Sequence, residues 1–384
     1  PPRSTLFPYT TLFRSMPLNE MRGVGLGSKI ILAKQTASVR VGEELIGRVV
    51  NGLGLPIDGK ADIEDFEERP LYAEVVNPLD REPIRSPIDL GVRAINSCLT
   101  VGLGQRVAIM AGSGVGKSVL LGMMARNTNA DVNVIALIGE RGREVREFIE
   151  NDLGPEGMKK SVVVCVTSDQ SPLLRMRGAY VATAIAEYFS GKGQNVLLMM
   201  DSVTRFAMAQ REIGLSAGEP PSSRGYTPSV FAQLPKLLER AGNFEGKGSI
   251  TGLYTTLVEG DDMNDPIGDS VRSIVDGHIV LSRALAQKGH FPSIDVLQSA
   301  SRVMKAVSKP DHQKLAQKLR ENLAIYKEAE DLINIGAYKP GANPKIDKAV
   351  KLIDGINDFL RQRVEDGTSF SQTLKMLQQL FIGN

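Results

Sequence analysis

Lys117 stands in Ala111-Gly112-Ser113-Gly114-Val115-Gly116-Lys117-Ser118, directly after the apolar run 106–110 and before Val119-Leu120-Leu121. That order predicts a strand, a glycine-rich turn and a helix. Glycines let backbone N–H groups turn toward a β-phosphate with no Cβ in the way, and the helix N-terminus adds positive potential. A lysine at this spacing reaches the β- and γ-phosphates, and the hydroxyl after it ligates Mg²⁺. The expected nucleotide cradle, a P-loop or Walker A pattern, is Gly112, Ser113, Gly114, Val115, Gly116, Lys117, Ser118 and Val119. Alanine stands at 111, where the usual pattern has glycine.

Carboxylates at strand ends complete this chemistry. Asp201 closes the apolar run 195–201, where an aspartate holds Mg²⁺ through its waters. Glu140 follows the run 134–138 in Gly139-Glu140-Arg141-Gly142-Arg143-Glu144, where a carboxylate beside a γ-phosphate positions and polarises the attacking water. Alone, Asp201 reads equally as a helix cap and the Glu140 cluster as a solvated helix start. With Lys117 upstream the two make a pair of roles. Arg205, in the first turn after Asp201, returns to the same site with donors suited to phosphoryl oxygens. Composition alone leaves Arg302 an exposed loop arginine and Phe291 a core aromatic.

The elements that must position these residues are read from periodicity. Strands are expected at 107–110, 132–138, 161–166, 196–200, 250–258 and 278–281, with helices beginning at 116, 143, 173 and 229. Alternation of this kind over 93–310 predicts an α/β core with a mainly parallel sheet covered on both faces and ligands at its carboxyl end. Residues 16–58 carry short strand runs (39–41, 44–50) and turn dipeptides, too little for a stable β domain, and read as the remnant of one. Residues 59–92, with Pro70, Pro78, Pro83 and Pro87, read as a connecting segment packed over the core. From 311 to 384 the pattern is helical, with expected core stripes Leu315, Leu319, Leu323 and Ile346, Val350, Ile353, Ile356. Asn343-Pro344 predicts a helix start, and Ser369 with Gln372 a capping box. Residues 1–15 lack any period and can be encoded in full by a common sequencing-library adapter. They are expected to be a non-native tail replacing the natural N-terminus.

The 384 residues and net charge of +2 suit a soluble chain with a large core and give no sign of nucleic-acid or membrane targeting. Cys98 and Cys165 sit in apolar runs and are expected as buried thiols, and the three histidines have no metal-ligand spacing. No run has the length of a membrane span and no secretory signal is present, so a cytoplasmic location is expected.

Pro292-Ser293-Ile294-Asp295 followed by Ser299-Ala300-Ser301 resembles the signature of the rotary ATPase α/β superfamily. The blocks 201–212 (Asp-Ser-Val-Thr-Arg-Phe-Ala-Met-Ala-Gln-Arg-Glu), 218–226 and 258–266 resemble its bacterial type III export branch. Leu173-Leu174-Arg175-Met176-Arg177-Gly178-Ala179 draws the chain toward the flagellum-specific ATPases, with the injectisome ATPases next. The resemblance covers the chain from Met16 onward. It implies a RecA-like P-loop core between an N-terminal β-barrel and a C-terminal helical domain, in a homohexameric ring that hydrolyses ATP with Mg²⁺. It implies Ser118 and Asp201 at the metal and Glu140 as catalytic glutamate, with Arg141 and Arg205 near the γ-phosphate. Arg302 becomes an arginine finger offered in trans, and Phe291 and Tyr338 the two faces of an adenine slot. The implied partners are an export-apparatus regulator, stalk and export-gate proteins, and export substrates with their chaperones. Association with the cytoplasmic face of the inner membrane is implied only through such partners. A non-hydrolysing ring subunit is disfavoured by having both Lys117 and Glu140. An RNA-translocating hexamer, and with it nucleic-acid binding, is disfavoured because residues 16–58 contain no aromatic.

Overall fold

The computed structural model describes residues 16–18, 22–23, 25, 28–29, 31, 34, 36–73, 76–258 and 265–382. The expected tail 1–15 and residues 259–264 of the block 258–266 lie outside the described residues.

Eleven strands are described: β1 Ser38–Val41, β2 Val49–Val50, β3 Glu67–Pro70, β4 Arg106–Ala111, β5 Val132–Glu140, β6 Ser161–Thr167, β7 Val196–Asp201, β8 Gly242–Asn243, β9 Ser249–Leu257, β10 Gly277–Leu281 and β11 Ala300–Ser301. The main sheet runs β11-β10-β4-β9-β7-β5-β6-β2, with β8 paired to β9 outside this path. From β10 to β2 every pairing is parallel, and β11 closes the edge beside β10 antiparallel. Such strands are buried on both faces, so their sequences are continuously apolar. Within β5, Val134, Ala136 and Ile138 join one core cluster and Ile135 and Leu137 the other, the alternation a pleated strand imposes. The expected helix starts fall within one residue of the observed Lys117–Asn127, Gly142–Glu147, Pro172–Gly191 and Pro228–Leu238.

The first described segment departs from its reading. β2 extends the main sheet, with Val49 opposite Val163 of β6, and β1 pairs antiparallel with β3 from the expected connecting segment. Residues 38–71 are thus joined to the core by strand pairing and hydrogen bonds. Arg240, itself buried, donates to both carboxylate oxygens of Glu187 and to Leu71 O, each at 2.6 Å. The strand periodicity was legible because it is local, but the partner strand was not.

Helices Pro310–Asn334, Pro344–Leu360 and Phe370–Gln379 pack beside the sheet. The Asn343 side chain caps its helix by accepting from Lys345 N, and both bonds of the Ser369/Gln372 capping box form. Leu319, Ile353 and Ile356 are buried as expected, but Val350 is 38% exposed. The buried stripe runs instead through Ala349, Leu352, Ile356 and Phe359, one position off the line that Val350 requires. Among the described residues no helix is long and apolar enough to cross a membrane.

Ile356 has no exposed surface in the packed face of its helix. Ile356→Ala is expected to lower unfolding free energy by about 2–5 kcal/mol, the usual result of opening a core cavity. Chemical denaturation checks this, and a loss under about 1 kcal/mol would mean that the helix is not packed as described.

Candidate nucleotide site

The site is assembled where β4, β5 and β7 end. β4 delivers the chain into the glycine turn, where Gly114 and Gly116 take φ of +75° and +86°, a region L side chains rarely adopt. No atom lies within 4 Å of where a Cβ on Gly114 would stand, and the Phe291 ring passes 3.5 Å from the equivalent point on Gly116. Gly112, Ser113 and Val115 complete the turn, Lys117 opens the helix, and Ser118 and Val119 follow half-buried in its first turn. The turn is fastened from a distant motif: buried Ser293 donates through Oγ to Val115 O at 2.6 Å.

Lys117 Nζ contacts Asp201 Oδ1 and lies 3.8 Å from Glu140 Oε1. Asp201 is 3% exposed, and the same Oδ1 accepts from Thr255 Oγ1 at 2.7 Å across the β7–β9 pair. Burial acts to lower the Lys117 ammonium, but the charges of Asp201 and Glu140 outweigh it and hold the group above its ordinary value. Burial, followed by the Asp201 charge, pushes the Glu140 carboxyl up to about 7 against the pull of Lys117. Two neighbouring polar atoms are buried without a hydrogen-bond partner among the described residues, Glu140 Oε1 and Arg205 Nε. The Arg205 stem packs on Gly139, where a Cβ would come within 2.9 Å of Arg205 Cβ. An unmatched acceptor and an unmatched guanidinium donor flanking a lysine-bearing glycine turn fit a group that is anionic on one side and supplies a proton donor on the other. A triphosphate with a divalent cation and a water meets both demands.

The remaining expected residues divide. Phe291 is 46% exposed and, with Val119, Gln362 and Arg363, lines a cleft of about 860 Å³ beside the glycine turn. Tyr338 does not line that cleft. Its hydroxyl donates to Asp347 Oδ1 at 2.8 Å and accepts from Asn343 N–H in the turn between two C-terminal helices, while Gln362 and Arg363 border the cleft. Arg141 is not brought into the buried cluster: its side chain is 82% exposed, 3.5 Å from Glu144. Arg302 lies just beyond the edge strand β11, exposed, with Nη1 and Nη2 donating to Val275 O and Arg272 O. Sequence reasoning missed Thr255, a hydroxyl inside an apolar strand, and Gln362, whose side chain donates to Gly91 O at 2.7 Å and accepts from Arg93 N. A polar residue in a buried strand was a usable signal for Thr255; Gln362 carried none.

Residues 91–301 match the nucleotide-binding domain of the ATP synthase alpha/beta family, and residues 308–379 match the T3SS EscN ATPase C-terminal domain. The chain belongs to the ATP synthase alpha/beta family. It is 55% identical over 365 residues to the flagellum-specific ATP synthase of Bacillus subtilis, covering 95% of this chain and 83% of that protein. It superposes with a TM-score of 0.91, at 49% identity, on the assembled ATPase EscN from the enteropathogenic E. coli type III secretion system, covering 95% and 88% of the two chains. EscN in complex with its central stalk EscO gives 0.89 at 48% identity, with the same coverage.

Glu140 links this geometry to pH. Its folded value, about 7, exceeds the ordinary 4.5, so between the two the folded state binds more protons than the unfolded one. Stability therefore falls as pH rises through that window. In metal-free, nucleotide-free protein, Glu140→Gln is expected to raise the melting temperature at pH 8 and to leave it nearly unchanged at pH 4.5. An equal gain at both pH values would contradict the buried, proton-holding Glu140.

Proposed function

We propose that the protein hydrolyses ATP in a ring of six copies and that this hydrolysis energises type III export of flagellar proteins. The observation that carries the reading is the convergence of Lys117, Asp201 and Glu140 at the strand ends, with Arg205 beside them. Family membership and the two glycines in the left-handed region support it.

Lys117 exchanges its contact with Asp201 for the β- and γ-phosphates. Ser118 and Asp201 would hold Mg²⁺, which supplies neutralisation of phosphate charge; Thr255 keeps the Asp201 carboxylate in place. Arg205 donates to a γ-phosphoryl oxygen. Glu140, as carboxylate, accepts a hydrogen bond from the attacking water and orients it. As the new O–P bond forms, the bridging oxygen leaves with ADP and the water proton passes to Glu140. Phe291 stacks on adenine. Arg302 serves the nucleotide of the adjacent subunit, and Arg141, next to Glu140 in the chain, would approach the γ-phosphate. Export regulator, stalk and gate proteins, substrates and chaperones are the partners, and they hold the ring at the cytoplasmic face of the inner membrane. Residues 93–310 form the ATPase core and 311–384 the helical domain. Residues 16–58 belong to a β-barrel domain, 59–92 connect it, and 1–15 are non-native. The likeness to EscN supports a second use, in an injectisome.

Mixed rings test the reading. Lys117→Ala and Arg302→Ala are each expected to lose about 10³-fold or more in turnover. Mixing the two is expected to restore measurable hydrolysis, because some interfaces then combine an intact lysine with an intact neighbouring arginine. Failure of the mixture to exceed either variant alone, with rings formed, would remove Arg302 from the site.

A further inference from the structure

Behind the wall of the nucleotide cleft lies a second cavity of about 180 Å³, between the segment 282–297 and the helices Pro310–Asn334 and Pro344–Leu360. We infer that it binds a small uncharged aromatic molecule bearing one hydrogen-bonding group.

Leu285, Val296, Leu323, Ile353 and Leu360 make most of its lining apolar. One polar side chain among them, His290, is almost wholly buried. His290 is 4% exposed, and its ring has no hydrogen-bond partner among the described residues; half-buried Tyr326 lines the same space. Burial, helped by the Arg361 charge, lowers His290, so the ring is neutral and offers one N–H donor and one nitrogen acceptor. A ligand with a matching donor or acceptor gives this ring the hydrogen bond that its own chain does not supply. The charged groups at the margin each face an opposite charge, Lys327 with Asp295 at 3.4 Å, Lys288 with Glu330 at 2.9 Å and Arg361 with Asp358 at 3.8 Å. An ionic ligand would have to displace one of these pairs, so an uncharged one is favoured. An apolar cavity of ~150 Å³ accepts benzene, so this one suits one ring or two fused rings.

The cavity shares its wall with the nucleotide cleft. His290 and Leu360 face the cavity, Phe291 and Gln362 the cleft, and Arg361 borders both. Gln362 N–H donates to Phe291 O at 2.9 Å, which joins the two segments. A ligand against His290 thus bears on the Phe291 ring over Gly116, and nucleotide and ligand alter each other's affinity reciprocally. That coupling rests on the proposed nucleotide reading; binding to the cavity does not.

Indole is the probe. Saturation-transfer NMR on the full chain without nucleotide is expected to show saturable binding, with the His290 ring resonances shifting. Indene, of the same shape without the N–H, is expected to bind about tenfold more weakly, the loss of one hydrogen bond. Leu323→Trp, which fills the space, is expected to abolish binding while the fold persists by circular dichroism. Should that variant unfold, the indene comparison and the His290 shifts decide alone. No saturable binding, equal affinity for indene, or binding that leaves His290 unmoved would overturn the site. If indole binds but saturating indole leaves the Kd of a fluorescent ATP analogue within twofold, the coupling is overturned. Absence of any nucleotide binding would count against the functional reading instead, with the indole arm unaffected.

Discussion

A buried ammonium held between two carboxylates governs this molecule. Lys117 cannot leave water without compensation, and Asp201 and Glu140 supply it from the ends of β7 and β5. Burial, with the Asp201 charge added, pushes Glu140 up to about 7, and one of its oxygens is unmatched among the described residues. Polyanion, cation and water together would resolve the mismatch, which is why the electrostatics argue for a ligand as strongly as the motif does.

Everything else in the core serves to bring those groups together. β4, β5 and β7 are parallel, so their carboxyl ends lie at one rim. The helices Lys117–Asn127 and Val203–Ala217 start there and deliver Lys117 and Arg205. Second contacts hold the parts in place: Ser293 pins the glycine turn, Thr255 pins Asp201, and Gln362 ties the core to the helical region through Gly91 and Arg93. Arg302, by contrast, lies past the edge strand, where among the described residues its guanidinium donates to two backbone carbonyls.

What was legible in the sequence follows from range. Buried parallel strands must be apolar throughout, so β4 to β7, β9 and β10 announced themselves, as did the glycine turn and the caps at Asn343 and Ser369. Partnership across distance did not. Nothing in 44–50 says that β2 docks on β6, and nothing in Glu67–Pro70 says that it pairs with β1. The contact of Tyr338 with Asp347 was not legible either, because an aromatic in a helical connection has no local sign of which neighbour it meets. Val350 fitted a three-and-four spacing that Ala349 and Leu352 fit better once the helix was seated. Gln362 went unnoticed because its importance lies wholly in hydrogen bonds to residues far away in the chain.

The most direct test of the central claim is a structure of the protein with Mg²⁺ and a non-hydrolysable ATP analogue. Lys117 Nζ is predicted to have left Asp201 for the β- and γ-phosphate oxygens, with Asp201 turned to the metal's waters and Glu140 Oε1 hydrogen-bonded to a water in line with the γ-phosphorus. A complex in which Lys117 remains on Asp201 while the phosphates lie elsewhere would contradict the account.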